Sequence, residues 1–197
     1  MRDVALAILA GGEGSRMGSP KGELRLGGRP ILSVLRERFD WPGPTLVVTA
    51  PGREHPTGWE LFDREVPDPS VGEGPLRGVL TALENAPAGI VVVTAVDMPL
   101  VSRAQLEWVV AELRGRPDAV CVMPMQRRDE VRQVQPFPSA FRVEAAPLVR
   151  LLLAKNRRSL HGLLNDLSVF AVDAPAEWGD AVWTNLNTPA DLDALGP

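Results

Sequence analysis

Between Leu9 and Gly28 the chain reads LAGGEGSRMGSPKGELRLGG, seven glycines in twenty residues, beside Arg16 and Lys21. Lysine occurs only at positions 21 and 155, against nineteen arginines, so its use at position 21 is informative. A backbone this bare can present N–H groups to a polyphosphate while the two cations supply charge. A solvated, glycine-rich surface loop has the same composition, and the loop alone does not separate the two. Its spacing does exclude the two best-known phosphate loops. Gly12 and Gly14 are followed by Gly18, one residue late for G-x-G-x-x-G, and Lys21 lies between Pro20 and Gly22, unlike the lysine of a Walker A loop.

Carboxylates supply the second half of such chemistry. Asp97 ends the apolar run GIVVVTAVDMP, where a charge is costly unless it emerges at a sheet edge and finds a partner. Magnesium is one such partner beside phosphates, because it takes one or two carboxylates and leaves other positions to substrate oxygens and water. A turn or capping aspartate before Pro99 is the alternative. In DPSVGEGPLRG, Asp68 precedes Gly74 and Gly78 at the start of a helical stripe, and the glycines let a flat ligand approach the backbone. His55 and His161 stand alone, as surface or structural histidines do, and no Ser, His and Asp set suggests a nucleophile with its base. A phosphate attacking a nucleotide needs neither, since it is already anionic; catalysis then consists of positioning and charge neutralisation.

These residues must be held by a frame, and the frame alternates strand and helix periods. VALAIL (Val4 to Leu9) and TLVVTA (Thr45 to Ala50) read as short buried strands, and Ile90 to Val96 as a central strand covered on both faces. Helical stripes follow Pro30 (Ile31, Val34, Leu35, Phe39) and Pro75 (Leu76, Val79, Leu80, Leu83), each with proline in the first turn. Ser102 and Gln105 form a capping box before a third helix, and AVCVMP gives another strand. From Gln126 the rhythm changes to an irregular hairpin. Stripes at Leu148 to Leu152 and, with Ser159 as N-cap, at Leu160, Leu163, Leu164 and Leu167 follow it. A late strand, SVFAVDA, precedes a last helix with Thr188 as N-cap, Pro189 first and Asp191 in the opening turn. Such a βαβ series predicts a three-layer α/β/α, Rossmann-like fold with a mostly parallel central sheet, in one domain over residues 1–197. The second half is expected to build one side of a cleft, and ligands of such sheets lie beyond the strands' carboxyl ends.

Composition limits the partners. The chain has 197 residues, 45% hydrophobic and 23% charged, the ordinary range for one substantial core. A net charge of −4 without a basic stripe argues against nucleic acid and anionic membranes. No run approaches a membrane span, so an intracellular, cytoplasmic protein is expected. The one cysteine, Cys121, sits in an apolar run and reads as a buried structural thiol. An NAD-binding oxidoreductase is disfavoured because TLVVTAPGR lacks the ribose-binding acid.

The segment LAGGEGSRMGSPKGELRLGGRPIL resembles the signature L-A-G-G-x-S-x-R-M-G, then K-x-x-L-x-x-x-G-x-P-L, of the molybdenum cofactor guanylyltransferases, within the nucleotidyltransferase fold family. GPLRG (74–78), VDMPL (96–100), QP (135–136), RRSLHGLL (157–164) and NLNTPADL (185–192) match in the same order, so the resemblance covers essentially the whole chain. It implies transfer of GMP from GTP to molybdopterin with Mg²⁺ and release of pyrophosphate. The N-terminal half would bind the nucleotide and the C-terminal half the acceptor, with transient contact to other molybdenum-cofactor proteins. The resemblance implies that Leu9, Ala10, Gly11 and Gly12 hold the nucleotide through backbone contacts, with Asp68 and the Gly74, Pro75, Leu76 turn beside them. Lys21 would take the phosphates, Arg16 the phosphoryl charge, Asp97 the metal, and Asn185 and Asn187 would line the site near metal and acceptor. This chain departs from the family at Pro20, where aspartate is common, at TAPGR, where an asparagine is common, and at Gln135 and Phe137 beside the QP proline. The alternatives are a CTP-dependent molybdopterin or sugar-phosphate nucleotidylyltransferase, and a nucleotide-binding module without catalysis.

Overall fold

Strands apolar along their whole length cannot face water on either side, and the chain buries them between two helical layers. The computed structural model describes residues 1–12, 20–52, 54–70, 72–128, 131–188 and 190–191. In chain order the elements are β1 (Val4–Leu9), β2 (Arg25–Leu26), β3 (Arg29–Pro30), α1 (Ile31–Phe39), β4 (Thr45–Thr49), β5 (Arg64–Pro67) and α2 (Pro75–Asn85). Then come β6 (Ile90–Ala95), α3 (Arg103–Arg114), β7 (Cys121–Arg128), β8 (Val131–Val134), β9 (Ser139–Arg142), α4 (Ala146–Ala154) and β10 (Val169–Asp173). The main sheet runs β10-β7-β9-β6-β1-β4-β5, with β8 paired to β7 beyond β9. It is parallel at β5, β4, β1 and β6 and again between β7 and β10, while β9 is antiparallel to β6 and β7. The mostly parallel α/β sandwich is therefore observed, interrupted by β9 and, beyond it, by β8, which is also antiparallel to β7.

Side-chain contacts assign the layers. Arg103 of α3 donates to the Asp40 carbonyl at the end of α1 at 2.9 Å, while α2 packs on α4. Gly78 of α2 lies against Leu9, whose Cδ2 would stand 3.2 Å from a Cβ at that glycine, so Leu9 points to the α2 side. The core is continuous, with β1 and β6 buried along all but their last residues, and Cys121 fully buried, which pushes its thiol up and leaves it inert. Among the described residues no helix is long and apolar enough to cross a membrane.

The capping box at Ser102 and Gln105 is present, and Pro75 opens α2. Other boundaries differ from expectation. Pro30 is extended, immediately before α1, rather than in its first turn. Residues 160–165 form a 3₁₀ helix, capped by Ser159, in place of a longer α-helix; the chain turns at Asp166, and Leu167 is 96% exposed. Asp166 accepts from the Ser168 hydroxyl and amide, which fixes that turn and holds its carboxyl below the usual range. Near the C-terminus Asp191 accepts from the Asn187 and Thr188 amides, whereas Pro189 lies outside the described residues.

Candidate active site at the carboxyl edge of the sheet

Four neighbouring strands end on one cavity of about 450 Å³. Leu9 closes β1, Ala50 follows β4, Asp68 follows β5 and Asp97 follows β6, and all four line it. Their exits are tied together: the amides of Ala10, Asp68 and Val96 donate to the carbonyls of Val48, Thr49 and Leu9 at 2.7, 2.8 and 3.0 Å. Backbone polar groups are thus satisfied up to the rim, and the side chains beyond it are held rather than loose. Gly11 lies so close to the next strand that a Cβ there would sit 3.3 Å from the Ala50 amide nitrogen.

The decisive contact joins residues 76 apart in sequence: Lys21 Nζ donates to Asp97 Oδ2. Both side chains are largely withdrawn from water, Lys21 at 23% and Asp97 at 10% exposure. Lys21 is brought there by its amide, which donates to the Gly12 carbonyl at 3.3 Å, and its stem lies on Gly12, where a Cβ would stand 3.1 Å from Cδ. Asp97 is braced from the other side, because the Leu186 amide donates to its carbonyl at 2.8 Å and so sets Asn185 on the cavity wall. Asp97 Oδ1 is buried with no hydrogen-bond partner among the described residues. A lone buried carboxylate oxygen aimed away from its ion pair is an unusual expense unless something else binds it.

Asp68 faces the same space and accepts from the Thr81 hydroxyl of α2; burial raises its carboxyl pKa, and that hydrogen bond opposes the rise. Gly74 turns the chain into α2 with φ 72° and ψ −177°, a conformation open to glycine, and lies against the Arg158 carbonyl. Arg158 in turn donates to the Gly72 carbonyl at 2.6 Å. Arg77 and Ser70 both donate to Glu73, which holds the Glu73 carboxyl below its usual range. Sequence reasoning missed this trio on the cavity wall, although the Glu73 to Arg77 spacing is that of a helical ion pair. Pro136 and Phe137, quoted from the sequence only as part of a matching motif and a departure beside it, also line the cavity.

Of the residues expected at the site, Leu9, Gly11, Gly12, Lys21, Asp68, Gly74, Pro75, Asp97 and Asn185 line this cavity together. Three are placed elsewhere. Ala10 is 7% exposed and borders a separate cavity of about 290 Å³ with Gly22 and Pro56. Leu76 is fully buried, and its amide donates to the Arg158 carbonyl at 3.4 Å. Asn187 is exposed and donates to the Asn185 carbonyl at 3.4 Å, supporting the neighbouring segment without lining the cavity. Arg16 lies outside the described residues. No group of three or more His, Cys, Asp or Glu side chains fit to hold a metal occurs among the described residues.

Residues 6–170 match the MobA-like NTP transferase domain family. The chain belongs to this family. It is 32% identical to a probable molybdenum cofactor guanylyltransferase of Deinococcus radiodurans, over 99% of this chain and 95% of that protein. A protein of the same description from Mycobacterium avium is 33% identical over 95% of this chain and 92% of its own length. Among solved structures, molybdopterin-guanine dinucleotide biosynthesis protein A from Archaeoglobus fulgidus superposes with a TM-score of 0.77 at 25% identity, covering 96% and 95% of the two chains. The protein is a nucleotidyltransferase, and its cavity is the place where the sheet would present a nucleotide.

Proposed function

We propose that the enzyme transfers GMP from GTP to the terminal phosphate of molybdopterin and releases pyrophosphate. The observation that carries the reading is the meeting of Lys21 and Asp97 at the cavity wall, with Asp97 Oδ1 lacking a partner among the described residues. The names of its relatives support the choice of substrates.

A phosphate oxygen of the acceptor forms a bond to the α-phosphorus of GTP as the bond from that phosphorus to the β-phosphate bridging oxygen breaks. Pyrophosphate carries away the electron pair. The nucleophile is anionic already, so no side chain need take its proton, in keeping with a cavity whose described residues present no histidine. Lys21 brings a positive charge to phosphate oxygens that gain charge in the transition state, and its position over Gly12 limits where that charge can go. Arg16, close in sequence to Lys21, adds a second cation. Asp97 would hold magnesium through its unpartnered oxygen, consistent with an ion that needs few carboxylates when phosphates and water complete its shell. When bound, the ion neutralises phosphate charge. Asp68 and the backbone around Gly11 and Gly74 would orient the nucleoside, and Asn185 the acceptor side.

Calorimetric titration of GTP and of CTP with magnesium, paired with pyrophosphate release in the presence of molybdopterin, tests the reading. GTP should bind in preference to CTP, and Lys21→Ala should lower the rate by about 10²–10³. Preference for CTP would move the enzyme to a cytidylyl donor; tight GTP binding without pyrophosphate release would make it a binding module. A parental rate in Lys21→Ala would remove Lys21 from the chemistry.

A further inference from the structure

The hairpin of β7 and β8 carries two arginines, Arg127 and Arg132, on the cavity's face of the sheet. Val92 of β6 pairs with Ala140 of β9, and Ala140 pairs with Val122 of β7. Strands β6 and β7 run the same way, so the same register continued five residues past these pairs, beyond the end of β6, would set Arg127 level with Asp97, two strand spacings or about 10 Å across. Alternation gives the face. Leu9 points toward α2 and is level with Ala95, and the same register carries that face to the odd-numbered residues of β7. Gln126, pointing the other way, donates to Asp180, and Trp178 nearby packs on Trp108 of α3. Arg127 therefore shares the face of α2 and the cavity.

Arg132 is directly opposite Arg127 in the hairpin. Like charges facing across a ladder repel, and here they are little neutralised: Arg132 has Asp173 at 3.6 Å, and the exposed Arg127 side chain makes no hydrogen bond or ion pair with a described residue. The chain leaving this hairpin becomes Pro136 and Phe137, which line the cavity, and the Gln135 amide fixes that exit by donating to the Pro124 carbonyl at 2.8 Å. A pair of exposed guanidinium groups thus belongs to the hairpin whose exit lines the cavity, on the cavity's face of the sheet and outside its lining.

Resting on the guanylyl-transfer reading above, we propose that Arg127 and Arg132 bind the second anionic group of the acceptor, the enedithiolate of molybdopterin, while its phosphate reacts near Asp97. Two forked cations match a pair of adjacent thiolates, and the spacing keeps them from competing for the nucleotide phosphates.

Anaerobic equilibrium dialysis measures binding of molybdopterin and, in parallel, of a phosphorylated pterin without the sulfur pair. The proteins are the parent, Arg127→Gln, Arg132→Gln, the double variant and Arg127→Lys. Each single glutamine variant should bind molybdopterin about tenfold more weakly, and the double variant more weakly still, with Arg127→Lys intermediate. Affinity for the sulfur-free pterin and, by calorimetry, for GTP should stay within about twofold of the parent. Unchanged molybdopterin affinity in the double variant would overturn the proposal and leave the arginines as protection for a strand edge. Equal losses for the sulfur-free pterin would overturn it too, by assigning them to the phosphate, and equal losses for GTP would show a disturbed fold instead. A parent that binds GTP but not molybdopterin refutes the guanylyl-transfer reading and this inference together; a parent that converts molybdopterin, with an unaffected double variant, refutes only the inference.

Discussion

Removing Lys21 should destabilise the protein more than removing the charge of Asp97, although the two residues form one ion pair. In Lys21→Met the stem is kept in shape and Asp97 remains, 10% exposed, with Oδ1 already unpartnered and Oδ2 newly so. Breaking a buried pair from one side costs about 3–5 kcal/mol, and partial access of water to this pair brings the expectation to about 2–4 kcal/mol. For a chain of this size each kcal/mol lowers Tm by roughly 2–4 °C, so a fall of roughly 4–16 °C is expected. In Asp97→Asn the stranded partner is Lys21, 23% exposed, on a flexible stem that can turn to water, and the amide oxygen can still accept from Nζ. That variant should lose about 1 kcal/mol or less.

Thermal unfolding of the parent, the two single variants and the double variant checks this ordering. The double variant should be more stable than Lys21→Met alone, because it strands no buried charge. Millimolar magnesium should raise the Tm of Lys21→Met more than that of the parent, since a cation can then neutralise Asp97 without displacing an ammonium, and should do little for Asp97→Asn. A Lys21→Met protein as stable as the parent, or an Asp97→Asn protein the less stable of the two, would refute the pairing on which the argument rests. Absence of any magnesium effect on Lys21→Met would refute Asp97 as the metal's carboxylate.

Two further substitutions probe the walls of the site. Burial raises the Asp68 pKa in the folded state, so its contribution to stability is full below the unfolded carboxylate value near ~4 and lost as pH rises through the folded one. Asp68→Asn keeps an acceptor for Thr81 and should have a higher Tm than the parent at pH 7, with the gap closing toward pH ~4; a gap that widens in acid would contradict the sign of the shift. Gly74→Ala forces a side chain into φ 72° with its Cβ 3.0 Å from the Arg158 carbonyl oxygen and should cost about 1–3 kcal/mol in chemical denaturation. Gly28→Ala, at φ 74° with no atom within 4 Å, is its matched control and should cost about 1 kcal/mol.

Those elements whose burial repeats along the chain were legible from it. An uninterrupted apolar run made β6 a covered strand, the Ser102 and Gln105 pair marked the start of α3, and Pro75 before an apolar stripe marked α2. β5 was not legible, because only Val66 is buried in Arg64–Pro67 and its pairing with β4 supplies what its own pattern lacks. Nor was the 3₁₀ helix at residues 160–165: four leucines at helical spacing describe a face, yet only Leu160 and Leu163 are fully buried, with Leu164 half-buried, before Asp166 turns the chain. At the site, Lys21 and Asp97 were each suspect by type, but their contact spans 76 residues and belongs to the tertiary structure. Ala10 and Leu76 sit within matching motifs and still turn inward, because apolar residues next to a strand end or in a first helical turn are the ones the core claims.

The reversed strand β9 ties these observations together. Had β7 paired directly with β6, Arg127 would stand one strand spacing, about 4.8 Å, from the level of Asp97 and would compete with Lys21 for its carboxylate. Insertion of β9, which pairs with both neighbours, doubles that separation. Lys21 is left as the cation that meets Asp97, and the hairpin arginines are moved to where a second anionic group of the same acceptor could reach them. On the guanylyl-transfer reading, the interruption of the parallel sheet that no single segment of sequence announces would divide one edge into a nucleotide side and an acceptor side. Phe137, on the link into β9, lines the cavity.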